Sequence, residues 1–400
     1  MLFRSTSGNY GNTIVRTDFA YRDAAGFVRN VSYGVDAGTT LGTSAMALGS
    51  PAGGNLKVVA SLSAGARLSS TSAPNTLLLA GQQPGLTLSA GTNYLGGILR
   101  TGSLASPIGT TLLGAPGFTN LVATVQGGAI SGNGAELMVR ADAANDWLEI
   151  KSVITGGGAL TKSGAGSVIL SGTASNTYSG LTTVQGGGLF VLNKAAGQTA
   201  IAGDVLLGDG LTNTLQIGLG GASNGLVNQI APTAVLTFAG SGSSNLSLNG
   251  NSQTLAGIQL LTGSYSQTLQ NGTANGYYSS TLTVNNTQDY STGSTLRDAG
   301  SAQYGNLKFV KQGPGRLVMG GYGASASVGT IANTGGIEVQ GGVLQLTNTF
   351  GSATASTALA YAAAGSSTTS GGSGYLSIDR KSTRLNSSHT VISYAVFCLK

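Results

Sequence analysis

Apolar residues arrive along this chain in short alternating runs. The cleanest are Ser167–Leu170, Leu181–Val184 and Leu189–Leu192, with Gly164, Gly166, Gly180 and Gly186–Gly188 at the corners between them. Runs of this length, bounded by Gly, Ser and Asn, predict strands and turns rather than helix. The same texture continues on both sides: Leu56–Leu62, Leu77–Leu79, Leu86–Leu88, Gly97–Leu99 and Thr111–Leu113 before it, and Val205–Leu207, Thr214–Ile217, Ala234–Phe238, Leu246–Leu248, Ile258–Leu261 and Thr281–Val284 after it. The spacing predicts solenoid rungs of about 20–25 residues with two or three strands each. Asn249-Gly250, Asn271-Gly272 and Asn275-Gly276 supply residues that accept positive φ at turns. Toward the N-terminus, Ile14–Val58 mixes charges with Phe19, Tyr21, Phe27 and Tyr33, and Phe27–Tyr33 alternates.

The central stretch returns. Lys162-Ser-Gly164-Ala-Gly166-Ser-Val168-Ile-Leu170 reappears as Lys311-Gln-Gly313-Pro-Gly315-Arg-Leu317-Val-Met319, 149 residues on (162 to 311). Val184-Gln185-Gly186-Gly187 reappears as Val339-Gln340-Gly341-Gly342, 155 residues on (184 to 339), so the second copy carries a small insertion. A third Val-Gln-Gly-Gly stands at Val125–Gly128. Tandem units of this kind predict a stacked, repetitive β architecture. Val168, Leu170, Leu317 and Met319 are expected inside its core, and Lys162 and Lys311 as solvated charges at the turn edge that keep strand edges of different molecules apart.

These residues resemble the autotransporter-associated β-strand repeat, K-x-G-x-G-x-hydrophobic-x-hydrophobic, of bacterial autotransporter passengers. Its later part, N-T-Y-x-G-x-T-x-V-x-x-G-x-L-x-hydrophobic, is matched at Asn176, Thr177, Tyr178, Gly180, Thr182, Val184, Gly187, Leu189 and Val191. The second copy keeps Lys311, Gly313, Gly315 and the Gly341–Leu346 end, while its middle, Gly320–Gly336, departs from the pattern and lacks the Asn-Thr-Tyr element. The resemblance implies an all-β parallel β-helix of stacked Gly-rich rungs. It also implies export by an N-terminal signal and a C-terminal outer-membrane β-barrel, to the cell surface or beyond.

Composition narrows the classes. Of 400 residues 66 are Gly, 40% are hydrophobic and 8% are charged. That suits a long, thin core better than disorder, because the apolar residues come in ordered alternation. The last residues differ abruptly: Asp379–His389 reads DRKSTRLNSSH and Ile392–Leu399 reads ISYAVFCL. This text matches a translated sequencing-library adapter on both sides of its index, so 379–400 is set aside as an artefactual tail. Arg380, Lys381, Arg384, Lys400 and Asp379 together carry +3 of the net charge of +6. Without them no basic stripe interleaved with aromatics remains, and nucleic acid is not an expected partner. The tail also holds His389 and Cys398, the chain's single His and single Cys. The start, MLFRSTSGNYGNTI, has no apolar signal core, and an internal Met of a longer frame is expected. No apolar run reaches the length of a membrane-spanning helix, so membrane insertion is not expected.

Catalytic chemistry has few candidates. Setting aside His389 and Cys398 leaves no Ser-His or Cys-His pair and no His/Cys metal spacing. Asp204 and Asp209, in GDVLLGDG, read as turn carboxylates rather than a calcium repeat. Asp142, Asp146 and Glu149 could gather on one face, with Asp146 and Glu149 flanking Trp147 as in sugar sites, or could simply be a solvated charged face. In Gly134–Ile154 the carboxylates are expected outward and Leu137, Val139, Leu148 and Ile150 inward. Ala141–Asp146 could form one helical turn.

The expected organisation is a solenoid segment at 1–155, the first repeat at 156–195, a solenoid spacer at 196–304, the second repeat at 305–350, an Ala/Ser/Gly-rich connector at 351–378 and the tail. The expected role is a non-catalytic passenger stalk with no cofactor. If its surface is adhesive, extracellular glycans or matrix proteins are its partners, and exposed solenoid ends would favour self-association. The alternatives are a secreted β-helical polysaccharide-degrading enzyme and a low-complexity extracellular matrix protein.

Overall fold

A computed structural model describes residues 2–9, 12–42, 55–58, 62–66, 75–80, 84–101, 122–219, 225–240, 242–261, 267–272, 278–298, 305–319, 331–346 and 374–377. The tail at 379–400, residues 351–373 of the connector expected at 351–378, and the strand expected at Thr111–Leu113 lie outside them. The chain divides into two units, Met1–Gly203 with Asn213–Leu215, and Asp204–Thr212 with Gln216–Lys400. Every regular element among the described residues is a β-strand. Parallel sheets form a β-solenoid, as the repeats predicted.

In the first unit two hydrogen-bonded faces run through the rungs. One is built from Asn55–Val58, Asn75–Ala80, the end of Gly85–Thr101, Leu137–Ala141, Leu160–Ser163 and Thr182–Val184, all parallel. The other carries Val122–Ser131, Trp147–Ile150, Ser167–Gly172 and Leu189–Lys194. Inward positions stack like on like: Leu148, Val168 and Phe190 form one row, and Ile150, Leu170 and Leu192 the next. All six are buried. Around the first repeat, contacts from one rung to the next fall 20 to 25 residues apart, 22 between Thr155 and Thr177. The third side carries short ladders, Thr92–Tyr94 on Ala129–Ser131 and Ile154–Thr155 on Ile130–Ser131. Beyond that, the Thr177 and Ser179 N–H groups donate to the Ile154 and Gly156 carbonyls, and the Asn176 amide accepts from the Ile154 N–H and donates to the Ala200 carbonyl.

The N-terminal segment departs from the expected solenoid. Leu2–Asn9, Asn12–Arg22 and Val28–Asn30 form a three-stranded antiparallel sheet. Its second turn is local chemistry: the Asp23 carboxylate accepts from the Ala25 and Phe27 N–H groups, and Gly26 adopts φ +88°. The ring of Phe19 lies 3.1 Å from where a Cβ on Gly97 would stand, so this sheet rests on a strand of the solenoid at a position without a side chain.

The second unit uses three hydrogen-bonded faces. The first holds Val205–Leu207, Val235–Phe238 and Gly257–Leu260, and a separate ladder holds Tyr290–Thr292, Arg316–Met319 and Val343–Leu346. The second stacks Ser244–Ser247, Thr268–Gln270, Thr295–Arg297 and Ile331–Ala332. The third stacks Ser252–Leu255, Ser280–Asn285, Leu307–Gln312 and Ile337–Val339. Rung offsets here vary, from 22 residues between Val235 and Gly257 to 27 and 28 around the second repeat, the latter beyond the expected range. Gly374–Ser377 pairs antiparallel with Val343–Leu346, a reversal the repeat pattern did not predict. The turn at Asn249-Gly250 takes φ of +48° and +78°, and Gly272 takes +99°, while Asn275-Gly276 is outside the described residues.

Candidate functional site

The repeated motif converges on one corner. In the first copy Lys162 lies on Leu160–Ser163, a strand in which all four residues are buried. It occupies an inward row between Val139 of the rung before and Val184 of the rung after. Its side chain therefore runs through the core, and its relative exposure is 0%. Lys162 is not the solvated edge charge the sequence suggested. The strand turns the corner immediately after it, and the apolar stem fills the inside of that turn while Nζ reaches carbonyls. Nζ donates to the Gly164 carbonyl at 2.8 Å and to that of Gly187 in the next rung.

Glycine makes that reach possible. Gly164 adopts φ +82°, and a Cβ on it would land on the Ala141 carbonyl of the rung below. Gly166 is equally tight, with Ala143 and Asp146 carbonyls 2.5 Å from any added Cβ. Val168 and Leu170 then point inward as expected, with exposures of 0% and 1%. Ile169 between them is buried too, which alternation alone did not suggest.

The second copy repeats the arrangement on Leu307–Gln312 and Arg316–Met319. Lys311 is also fully buried, in a row between Val284 and Val339. Its Nζ donates to the carbonyls of Gln312, Gly313 (3.0 Å) and Gly341 of the following rung (3.2 Å). Burial lowers its pKa to about 8, and the Asp289 carboxylate opposes that shift. Gly313 has φ +73° and would collide with the Asn286 carbonyl if it carried a Cβ; a Cβ on Gly315 would meet the Gln288 carbonyl. Leu317 and Met319 are buried, as expected.

The Val-Gln-Gly-Gly strings thus belong to the lysines one rung earlier. Val184 and Val339 stand beside the lysine in the ladder, and Gly187 or Gly341 offers the carbonyl. The third string, Val125–Gly128, sits mid-strand opposite Leu86–Leu88, with Leu86 facing Val125 where a lysine would be needed. It shares the glycine corner, with Gly127 at φ +95° and the ladder shifting register there, but lacks the lysine.

Asn176 and Tyr178 of the first copy complete the third side. Tyr178 is buried, with its hydroxyl 2.7 Å from Thr182 Oγ1, and burial raises its pKa. The second copy lacks the tyrosine and departs here, as its sequence suggested. Asn333-Thr334 stands before Gly335-Gly336, and the Asn333 amide donates to the carbonyls of Leu307 and Gly336. Aligning it needs a two-residue gap, since Asn333 precedes Val339 by fewer positions than Asn176 precedes Val184.

The carboxylates do not form a shared face. Asp146, expected outward, is fully buried and accepts from the Ala143 N–H at 2.8 Å in a turn where one helical turn was considered. Asp142 pairs with Arg140 at 2.6 Å. Glu149 accepts from Ser171 Oγ and lies 3.4 Å from Lys151. Leu137, Val139, Leu148 and Ile150 do face inward. Asp209 accepts from the Leu211 N–H within its own turn, as expected, whereas Asp204 accepts from the Val235 N–H of the following rung. Among the described residues no three His, Cys, Asp or Glu side chains gather as a metal site would require.

Two further buried cations were missed in the sequence. Arg100 donates from Nη1 to the carbonyls of Leu79 and Thr101, and burial lowers its pKa against the opposing charge of Asp146. Lys194 is buried, and burial lowers its pKa to about 8. The available signal was a lone cation closing an apolar run just before a corner, as in Gly97-Ile-Leu-Arg100.

The passenger-associated-transport repeat matches residues 160–189 and 309–346. Each match contains one whole corner: the lysine, its glycines and the acceptor glycine of the next rung. The chain carries autotransporter passenger repeats, as the Lys-x-Gly-x-Gly resemblance implied. No curated protein and no solved structure matches the chain.

Proposed function

We propose that this chain of passenger-associated-transport repeats is the structural, non-catalytic part of an autotransporter-like passenger. The repeat family implies export to the cell surface or secretion. The observation that carries the non-catalytic reading is where the recurring residues spend their chemistry. Lys162 and Lys311, the repeat's only ionisable groups common to both copies, are buried and donate to the fold's own carbonyls. The acids weighed for catalysis are likewise held by neighbours: Asp146 inside a turn, Asp142 by Arg140, Glu149 by Ser171. A general acid–base pair needs carboxylates free to meet a substrate.

Incubating the protein with a panel of polysaccharides should release no products. Reproducible cleavage, lost in Asp142→Ala or Glu149→Ala while the fold persists, would replace this reading with a secreted β-helical hydrolase. An adhesive role is a further part of the proposal, with extracellular glycans or matrix proteins as partners. Saturable binding to immobilised glycans or matrix proteins without turnover supports it; no binding at any concentration leaves a spacer.

A further inference from the structure

On the first face of the first unit, Leu77, Ile98 and Val139 form one inward row, and Leu79, Arg100 and Ala141 the next. The row between them therefore points outward, and it reads Lys57, Leu78, Leu99, Arg140. Its two end residues are partly exposed, as outward side chains should be. Its two leucines are not: Leu78 is 1% exposed and Leu99 0%. An outward apolar pair stays dry only beneath another part of the molecule.

The N-terminal antiparallel sheet meets the solenoid at this place. Phe19, on Asn12–Arg22, sets its ring against Gly97, two residues before Leu99 on the same strand. Gly97 lies in an outward row too, with Thr76 and Met138, and its missing side chain is the notch that admits the ring. A second contact stands at Lys57, whose Nζ lies 5.3 Å from the ring centroid of Tyr33. The Tyr33 hydroxyl donates to the Asp18 carboxylate at 3.0 Å, beside Phe19, so the two contacts belong to one body. The Arg29–Asp36 ion pair fastens the turn that carries Tyr33 to the same sheet. Among the described residues no strand ladder joins this sheet to the solenoid.

We propose that the sheet of Leu2–Asn9, Asn12–Arg22 and Val28–Asn30, with the turn that carries Tyr33, is a detachable cover. Phe19 is its peg, Gly97 its socket, and the Leu78–Leu99 stripe is what it keeps from water. The cover is held by side chains, so lifting it breaks no rung-to-rung ladder. It opens while the strands beneath stay paired, as a local unit of low stability does. Opening bares two leucines bracketed by Lys57 and Arg140, an apolar stripe on an outer face of the solenoid.

Gly97→Leu on the full chain tests this. The added side chain must take the space of the Phe19 ring, and it points away from the core. It carries no left-handed strain, because Gly97 does not adopt positive φ. Hydrogen exchange should quicken on the order of tenfold in 13–22 and stay near wild type in 76–79 and 137–150. An apolar fluorescent dye should bind this variant more than wild type, and Leu99→Ser in the same background should cancel the gain. Phe19→Ala should behave alike. A chain carrying both Phe19→Ala and Gly97→Leu should exchange no faster than either single variant, since both remove one contact. Unchanged exchange in 13–22, equal acceleration in 13–22 and 137–150, or a dye signal indifferent to Leu99 would overturn the cover. If a variant does not fold, the wild type decides: in rising sub-denaturing urea, 13–22 should open at a lower concentration than 76–79. Opening of the two together would sink the proposal.

Discussion

The two copies of the repeat build the same corner inside rungs of different design. The first rung advances by 22 residues and has two continuous ladders, with Asn176, Thr177 and Tyr178 closing the third side. The second advances by 27 or 28 and adds a third ladder, Ser252–Leu255 through Ile337–Val339. The corner survives because backbones there approach within van der Waals distance, and only glycine leaves the space. The third side tolerates change because its task is only to satisfy backbone donors and acceptors. An amide does that in one copy and a strand in the other. The lysine likewise keeps its place, between two valines, while the acceptor shifts from the third residue after valine to the second.

The largest expected effect tests what the copies share. Leu170→Asp and Leu317→Asp each put a carboxylate into an inward apolar row, and each should cost about 4 kcal/mol or unfold its rung. Urea denaturation followed by circular dichroism would measure both. A wild-type-like transition for either would mean that copy lacks the packed interior assigned to it.

Next come the acceptor corners, where the copies should differ. Gly186→Ala must strain a left-handed residue and collide with Gly164, for a loss of about 3 kcal/mol. Gly341 has ordinary φ, and its nearest backbone atom to an added Cβ is 3.2 Å away, so Gly341→Ala should cost only about 1 kcal/mol. Equal losses would erase the distinction between the two acceptor geometries.

The third side should show a smaller contrast. Asn176→Ala strands the Ile154 N–H and the Ala200 carbonyl in the interior, a loss of about 2 kcal/mol. Asn333→Ala removes donors to two carbonyls but leaves the Ile337–Val339 ladder intact, and should cost less. Thermal melting of the pair would rank them, and the opposite order would count against the ladder as the substitute.

The smallest effect is on pH. Lys311 in the second copy and Lys194 in the first have pKa values lowered by burial from 10.5 to about 8. Between those values the unfolded chain binds more protons than the folded one, so stability rises as pH climbs from about 8 toward 10.5. Below 8 these two groups add no slope. Melting temperatures across that range should rise less in Lys311→Met and in Lys194→Met than in wild type. An unchanged slope in both would show that neither ammonium is desolvated as described.

Much of this was legible in the alternation. Val168, Leu170, Leu317 and Met319 could be assigned inward because period-two side chains must bury one face. Val205–Leu207 could be placed as a strand from its Gly-bounded run alone. Lys162 and Lys311 were misassigned by the same logic. Charge argues for solvent unless a partner is known, and their partners are carbonyls one corner away and one rung away. Asp146 failed for a similar reason: its partner is the backbone N–H of Ala143, within its own turn. The antiparallel sheet at Leu2–Asn30 was missed because its strands look like solenoid strands, and direction is not written in alternation.

The amino-acid sequence by itself determined that the regular elements of the described residues are β-strands, that most of them are short, and that two places carry one motif. Those properties are local: they follow from side-chain period, glycine conformational freedom and recurrence along the chain. Only the tertiary structure decided which glycine serves which lysine, how many faces a rung has, and that the motif's cation lies inside. Each of these depends on residues brought together 22 to 30 positions apart, where the accepting group is a main-chain carbonyl that every residue possesses and no side-chain pattern can mark.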